Sequence, residues 1–142
     1  MKQFGLQFHH LGLAVRSPGA AFAYLAGLGY REGAQTFDPL QSVNLAMRHH
    51  DAMPDVEVIW PGDGPSPVDR LVKRGEGRIY HLCYIANDPE GALAAIAAAG
   101  LDVLPVGEPL PAALFGGHPV SFHHIGDVGL IELIHPIEGD RP

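Results

Sequence analysis

The sequence predicts an α+β fold in which a strand, a helix and further antiparallel strands occur twice. Its 142 residues suit a single globular domain spanning residues 1–142. Apolar residues make up 46% and charged residues 18%, which is enough apolar material to bury a core. Eighteen glycines and thirteen prolines divide the chain into short segments that mostly alternate like strands. Shifting the sequence by 71 or 75 residues superimposes the two halves.

The first half begins with a predicted strand over residues 8–15, where apolar and polar positions alternate. Ser17 is the predicted N-cap of the next helix and Pro18 its first residue. The helix is predicted over residues 20–28. Gly29 is the expected left-handed residue that ends it.

Two more strands are predicted over residues 43–48 and 56–60. Residues 61–67 are rich in proline and glycine and are predicted to form a linker without regular structure. A short helical turn is expected over residues 68–74, with Ser66 as its cap.

The second half repeats this order. A strand over residues 79–86 is followed by Asp88 as N-cap, by Pro89 and by a helix over residues 91–99 that ends at Gly100. Further strands are predicted over residues 102–105, 120–125 and 129–134, with a loop over 106–119.

The repeat places one histidine and one glutamate at equivalent positions of each half. A shift of 71 superimposes His10 on His81, and a shift of 75 superimposes Glu57 on Glu132. If a pseudo-two-fold axis relates the halves, four side chains on four strands converge on one point. Two imidazoles and two carboxylates suit one divalent ion of Zn, Co, Ni, Mn or Fe. The sequence therefore predicts a metal site.

A structural interpretation of these residues is the alternative. A glutamate on an alternating strand can face water, and a histidine at the start of a strand is often a hydrogen-bonded core residue. Glu132, however, shares its strand face with Leu130 and Ile134. An unpaired carboxylate on such an apolar face is costly, and a metal ion removes that cost.

Charge and composition exclude several classes of partner. Nine Lys and Arg against sixteen Asp and Glu give a net charge of −7, and no basic stretch predicts binding to nucleic acid. No apolar run approaches the roughly 20 residues that cross a bilayer. Cys83 is the only cysteine, and the first residues do not resemble a signal peptide. We therefore expect a cytoplasmic protein with a small-molecule partner.

Four stretches resemble the vicinal oxygen chelate superfamily, which includes glyoxalase I, methylmalonyl-CoA epimerase, extradiol dioxygenases and bleomycin-resistance proteins. They are FHHLGLAV at 8–15, VEVIWP at 56–61, YHLCY at 80–84 and GLIELIHP at 129–136. The resemblance implies the glyoxalase fold, in which two paired βαβββ modules form a cupped mixed sheet. The modules would span residues 7–62 and 78–137, joined by a linker over 63–77. It also implies a homodimer, with metal ligands at His10, Glu57, His81 and Glu132.

Within the superfamily, the segments SPVDRLVKRGEG and PLQSV resemble the epimerase branch. Epimerases carry a second catalytic glutamate at the position of Leu45, so the two bases that epimerisation needs are not both present there. The glyoxalase I branch carries a glutathione-binding arginine where this chain has Ala14. The chain therefore departs from both branches.

The resulting hypothesis is a metal-dependent isomerase, epimerase or lyase that moves a proton beside a metal-chelated carbonyl of a small acyl or oxo compound. Glu132 is the predicted base, and Glu57 is the candidate on the opposite face. A non-catalytic protein that binds a drug or metabolite is one alternative, and a glyoxalase I-like lactoylglutathione lyase is another. An extradiol oxygenase ranks lowest, because Glu57 as a fourth ligand would crowd out oxygen.

Four further side chains are predicted to contact substrate: Leu45, Met47, His124 and Phe115. The glycine-rich loop around Phe115 has the composition of a mobile lid, although an ordinary turn has the same composition. His9 alternates with His10 along the first strand, so it is expected to face the helix side or a subunit boundary.

Overall fold

The computed structural model describes residues 3–137. This part of the chain contains eight strands and three helices, in the order β1 (Leu6–Ala14), α1 (Gly19–Gly27), β2 (Arg31–Asp38), β3 (Val43–His49), β4 (Val56–Pro61), α2 (Asp69–Val72), β5 (Arg78–Ala86), α3 (Pro89–Ala98), β6 (Val103–Pro111), β7 (Pro119–Ile125) and β8 (Gly129–Ile134). Within the described range, every helix is too short or too polar to cross a membrane.

Contacts divide the described chain into two compact units, whose boundaries fall within β1 and β5. The first unit comprises residues 10–80. The second unit comprises residues 3–9 and 81–137. Each unit contains one strand–helix–strand repeat.

The first unit has the strand order β2-β3-β4-β1, in which β1 and β4 are parallel and the other pairs antiparallel. Strand β2 was not among the predicted strands. Most of its side chains are exposed, because it lies at the edge of these four strands, so it lacks the apolar alternation that marks a buried strand. Strands β1, β3 and β4 confirm the predictions to within two residues at either end.

The N-cap of helix α1 lies one residue later than predicted. Pro18, not Ser17, is the N-cap residue, and no side chain caps the helix. Pro18 has helical backbone angles, and its carbonyl accepts from the Phe22 amide at 2.9 Å. The Ser17 cap was therefore a wrong prediction. Gly29 has φ of +95°, which confirms the predicted left-handed residue after the helix.

The core of the first unit lies on the helix side of its strands. Its buried residues are Val15, Leu25, Tyr30, Val56 and Val58, with Phe22 and Trp60 packed against them. The short helix α2 lies within the residues predicted for it, but its N-cap residue is Val68 and no side chain caps it, so the Ser66 cap was a wrong prediction. Ser66 instead donates from its amide and its hydroxyl to the Asp69 carboxylate. The Arg16 guanidinium donates to the carbonyls of Val72 and Lys73 and so ties the end of this helix to the segment after β1.

The second unit has the matching order β5-β8-β7-β6, again with one parallel pair, β5 with β8. Asp88 caps α3 by accepting from the Gly91 amide at 3.0 Å, and Pro89 is the first helical residue. Gly100 has φ of +89°. These observations confirm the predicted start and end of the helix.

Strand β6 is longer than predicted. It continues to Pro111 through a register shift between Val106 and Leu110, so the predicted loop over 106–119 shortens to residues 112–118. Prolines obscured the strand in the sequence. They are tolerated because β6 is an edge strand, so its outer side needs no backbone N–H to pair with another strand.

Alternating residues of the second unit form two separate cores. Ala86, Ile125, Ile131 and Leu133 pack with Ile96 of α3. Cys83, Ala112, Val120 and Ile134 pack on the other face, with Phe115 and Phe122. Glu132 lies on this second face, because it alternates with Leu133 along β8.

Candidate functional site

The first unit contains a buried histidine–glutamate pair. His10 Nε2 on β1 lies 3.5 Å from Glu57 Oε1 on β4. The two residues are 0% and 4% exposed. The parallel register places Gly12, two residues beyond His10, opposite Glu57, and this glycine contributes no side chain to the face. The register of β1 and β4 therefore brings the imidazole and the carboxylate together.

The second unit contains the equivalent pair. His81 Nε2 on β5 lies 3.0 Å from Glu132 Oε1 on β8, and the residues are 2% and 5% exposed. Here Cys83 is opposite Glu132 in the parallel register. The Phe122 ring meets the His81 ring edge to face at 5.5 Å and restricts the orientation of the imidazole.

Each pair offers the ligand atoms of a transition-metal site. A buried carboxylate needs a balancing charge or several hydrogen bonds, because removing it from water is expensive. One imidazole nitrogen and one carboxylate oxygen in each unit are donors that Zn, Co, Ni, Mn and Fe accept. The residues present thus fit a divalent cation. That the two pairs share one cation stays a prediction.

Two predicted substrate-contact residues lie beside Glu57. Met47 is opposite Glu57 in the antiparallel register, and Leu45 lies two residues earlier on the same face, opposite Ile59. Leu45 and Met47 are 8% and 4% exposed. The side chain at position 45 is therefore a buried aliphatic group, and this strand contributes no second carboxylate to the face. Contact of either residue with substrate stays a prediction.

Phe115 lines a cavity of about 230 Å³ on the face that carries Glu132. Ile134, two residues beyond Glu132, and its register partner Ile85 form part of the wall. His9 and His118 complete the lining, and the His9 ring meets the Phe115 ring at 5.2 Å.

His9 does not face the helix side, which was one of its two predicted positions, because its side chain contacts Phe115 in this cavity. The other predicted position, a subunit boundary, stays a prediction. Simple alternation along β1 misses this, because the strand passes from the second unit to the first between residues 9 and 10. No signal in the sequence marks that transition. The cavity is thus a feature that sequence reasoning did not find.

His124 shares the strand face of Phe122 and Glu132, but its side chain is exposed. It is opposite Leu130 at the far end of the strand pair, four positions from Val120. His124 is therefore farther along the strand from Glu132 than Phe122 is. Its contact with substrate stays a prediction.

Comparisons with known proteins agree with this architecture. Residues 9–122 match the family described as Glyoxalase/Bleomycin resistance protein/Dioxygenase superfamily. The ethylmalonyl-CoA/methylmalonyl-CoA epimerase of Cereibacter sphaeroides is 33% identical over 133 residues, which cover 89% of this chain and 96% of the relative.

Two solved structures extend the comparison to the fold. A hypothetical protein from Bacillus halodurans has a TM-score of 0.75 at 25% identity, with 96% of this chain and 99% of that chain covered. Methylmalonyl-CoA epimerase from Mycobacterium tuberculosis has a TM-score of 0.73 at 18% identity, with 92% and 88% covered. These matches confirm the predicted α+β glyoxalase fold.

Proposed function

Because the chain belongs to the glyoxalase/bleomycin resistance protein/dioxygenase superfamily, we propose that it is a metal-dependent epimerase or isomerase of a small acyl thioester. The observation that carries the proposal is one buried His–Glu pair in each unit at repeat-equivalent positions. The name of the relative from Cereibacter sphaeroides supports the substrate class, because that protein is an epimerase of ethylmalonyl-CoA and methylmalonyl-CoA.

We assign His10, Glu57, His81 and Glu132 as ligands of one divalent cation. The assignment is supported by the burial of all four residues and by their nitrogen and oxygen donors. When bound, the cation supplies a positive charge that stabilises negative charge developing on the substrate carbonyl oxygen. A carboxylate beside that carbonyl can then remove the proton from the neighbouring carbon of the substrate.

Glu132 is the better placed of the two carboxylates to move this proton. Its strand face continues past Ile134 into the 230 Å³ cavity, which offers apolar walls to a short acyl chain. The face of Glu57 is instead filled by the buried side chains of Met47 and Leu45. We therefore assign Glu132 as the base that removes the proton.

Epimerisation also needs a proton donor on the opposite face of the carbon. Leu45 cannot provide one, which leaves Glu57 as the candidate in the first unit. A carboxylate that binds the cation has to release it before it can transfer a proton. Exchange requires this of Glu132 alone, whereas inversion requires it of Glu57 as well. We therefore expect the protein to exchange the α-proton with solvent faster than it inverts the carbon.

The test measures both reactions on methylmalonyl-CoA and ethylmalonyl-CoA in D₂O, with the metal-loaded full chain. Glu132→Gln is expected to lower α-proton exchange at least about 100-fold, the usual contribution of a general base. Glu76→Gln, an exposed glutamate, is the matched control and should exchange at the wild-type rate. Unchanged exchange in Glu132→Gln contradicts the assignment of the base.

A second variant tests the missing donor. Leu45→Glu places a carboxylate on the face of Glu57 and is expected to raise the ratio of inversion to exchange, with folding checked by circular dichroism. Leu45→Gln is the isosteric control and should leave the ratio unchanged.

The buried Leu45 also favours one competing function, a binding protein without catalysis. Tight binding of the thioester by the wild-type chain, with neither exchange nor inversion, would establish that alternative.

A further inference from the structure

We propose that the second unit has another binding site, on the face that α3 covers, and that its ligand is a small organic amine. The site is an open cavity of about 440 Å³. The first turn of α3 and strand β6 form its walls, and its floor is formed by β7 and by His135, the residue after β8. This volume lies within the usual range for small-molecule sites. Strand alternation puts the floor on the opposite face from Glu132.

Three polar side chains on the floor form a hydrogen-bonded chain. The Ser121 Oγ lies 2.6 Å from His135 Nε2 and 2.8 Å from His123 Nε2. A hydroxyl has one hydrogen, so Ser121 donates to one imidazole and accepts from the other. We assign the hydroxyl hydrogen to the shorter contact, so that His135 is the acceptor and His123 is the donor through Nε2–H.

This arrangement leaves a lone pair on His123 Nδ1. The residue is only 8% exposed, and among residues 3–137 no hydrogen-bond partner is found for this atom. A buried polar atom without a partner is unfavourable, and His123 lines the cavity, so a ligand N–H that reaches this nitrogen after a small rotation of the imidazole gains affinity. Burial lowers the pKa of both imidazoles, and that of His123 is lowered further by His135, so both rings are neutral near pH 7 and repel no cation.

The charges around the cavity select the sign of the ligand. Glu90 in the first turn of α3 and Glu108 on β6 line it, and its described lining contains no lysine or arginine. Two carboxylates attract an ammonium group and repel an anion. Leu93, Pro105 and Pro109 give the rest of the wall an apolar surface that suits a short hydrocarbon chain.

The fold itself does not require this cavity. Shifted back by 75 residues, the three floor residues correspond to Ala46, Arg48 and Trp60 of the first unit. There the Arg48 guanidinium stacks on the Phe22 ring at 4.0 Å, and Phe22 packs against Trp60 at 5.7 Å. Side chains thus fill the equivalent position, so the polar floor is a property of the second unit alone.

The experiment titrates the full chain at about pH 7.5 with n-butylammonium chloride and follows the imidazole resonances by two-dimensional NMR. Sodium butyrate and n-butanol are the matched probes of opposite and zero charge. We expect saturable shifts of the His123 and His135 signals with the ammonium ion, at a Kd on the order of millimolar for so small a ligand. Butyrate should cause none.

Variants locate the binding. His123→Leu should abolish the saturable shift at His135, and Glu90→Gln with Glu108→Gln should remove the preference for butylammonium over butanol. Ser121→Ala tests the bridge with little risk to folding, because alanine occupies the equivalent position 46. It should weaken binding several-fold.

Asp127→Asn is the control for loss of a carboxylate, since it lies in the exposed turn after β7 and asparagine tolerates its φ of +61°. It should bind like the wild type. Equal or tighter binding of butyrate, no saturable shift with butylammonium, or saturation of the same signals by Zn²⁺ alone would each overturn the proposal.

Discussion

Each unit contains one His–Glu pair, but the residues opposite the glutamate on its neighbouring strands differ between the units. Glu57 is flanked in the strand register by Gly12 and Met47, whereas Glu132 is flanked by Cys83 and Phe122. The pairs nevertheless have similar Nε2–Oε1 distances of 3.5 and 3.0 Å and similar burial. A parallel register between the first and last strands of each repeat is therefore sufficient to form the pair, and the neighbouring residues are free to vary.

The helix-side faces differ more strongly. In the first unit an arginine stacks on an aromatic ring, and in the second a serine bridges two imidazoles at the edge of a cavity. A guanidinium remains charged over the physiological pH range, whereas an imidazole does not. The two units thus have equivalent strand registers. The same chemistry recurs only on the faces that carry the His–Glu pairs, and the helix-side faces differ.

The largest expected effect is the loss of metal when a histidine of either His–Glu pair is removed. If both units hold the same cation, His10→Ala and His81→Ala should lose it equally, because each removes one of four ligands. We expect each variant to weaken metal binding by at least about 100-fold. This exceeds the usual loss when a residue that only hydrogen-bonds to a metal ligand is removed. Elemental analysis after dialysis and a competition titration measure the loss.

His124→Ala provides the control, because this histidine is exposed and lies outside both pairs. It should retain wild-type metal content. Loss of metal from only one of the two pair variants would show that the units do not contribute equally. Full retention in both would refute the shared site.

The repeat was the most predictable feature of this chain. His10, Glu57, His81 and Glu132 were found because identical residue types recur at shifts of 71 and 75, and the strands that carry them alternate clearly. The sequence predicted the four residues as one cluster, but it did not predict that each histidine lies beside the glutamate of its own unit. It did predict the ends of α1 and α3, where glycines adopt positive φ. The helix ends follow from local spacing, whereas the four site residues follow from the repeat of the whole segment.

The features that were missed depend on nonlocal contacts. Strand β2 is held by its pairing with β3 and not by an apolar pattern of its own. The second part of β6 contains prolines and is identified only by its register with β7. Hydrogen bonds join Ser121 and His123 of β7 to His135, the residue after β8, and each of these side chains resembles ordinary packing when it is considered alone.

A smaller expected effect is a difference between the helix-side faces of the two units in how strongly stability depends on pH. Burial lowers the pKa of His123 and His135, so the unfolded chain binds protons more readily than the native state. Protonation then favours unfolding, and stability should fall as the pH drops below about 6.5, the ordinary pKa of histidine. Urea denaturation at about pH 7.5 and pH 5.5 measures this loss, which should be smaller in His123→Leu.

Arg48→Leu is the matched variant in the first unit. It removes a side chain from the equivalent position, but a guanidinium does not titrate in this range, so the variant should lose as much stability on acidification as the wild type. An equal change of pH dependence in Arg48→Leu and His123→Leu would contradict the difference between the two faces.

The smallest expected effect separates the two longer helices. Asp88 accepts from the Gly91 amide at the start of α3, whereas no side chain caps α1, although Ser17 precedes it. Asp88→Ala should therefore lower the free energy of unfolding by about 1 kcal/mol, and Ser17→Ala by only a few tenths. Urea denaturation resolves the difference, and Asp88→Asn, which keeps the acceptor oxygen, should remain close to wild type. Equal losses in Asp88→Ala and Ser17→Ala would mean that Ser17 does cap α1 in solution and that the two helix starts are alike after all.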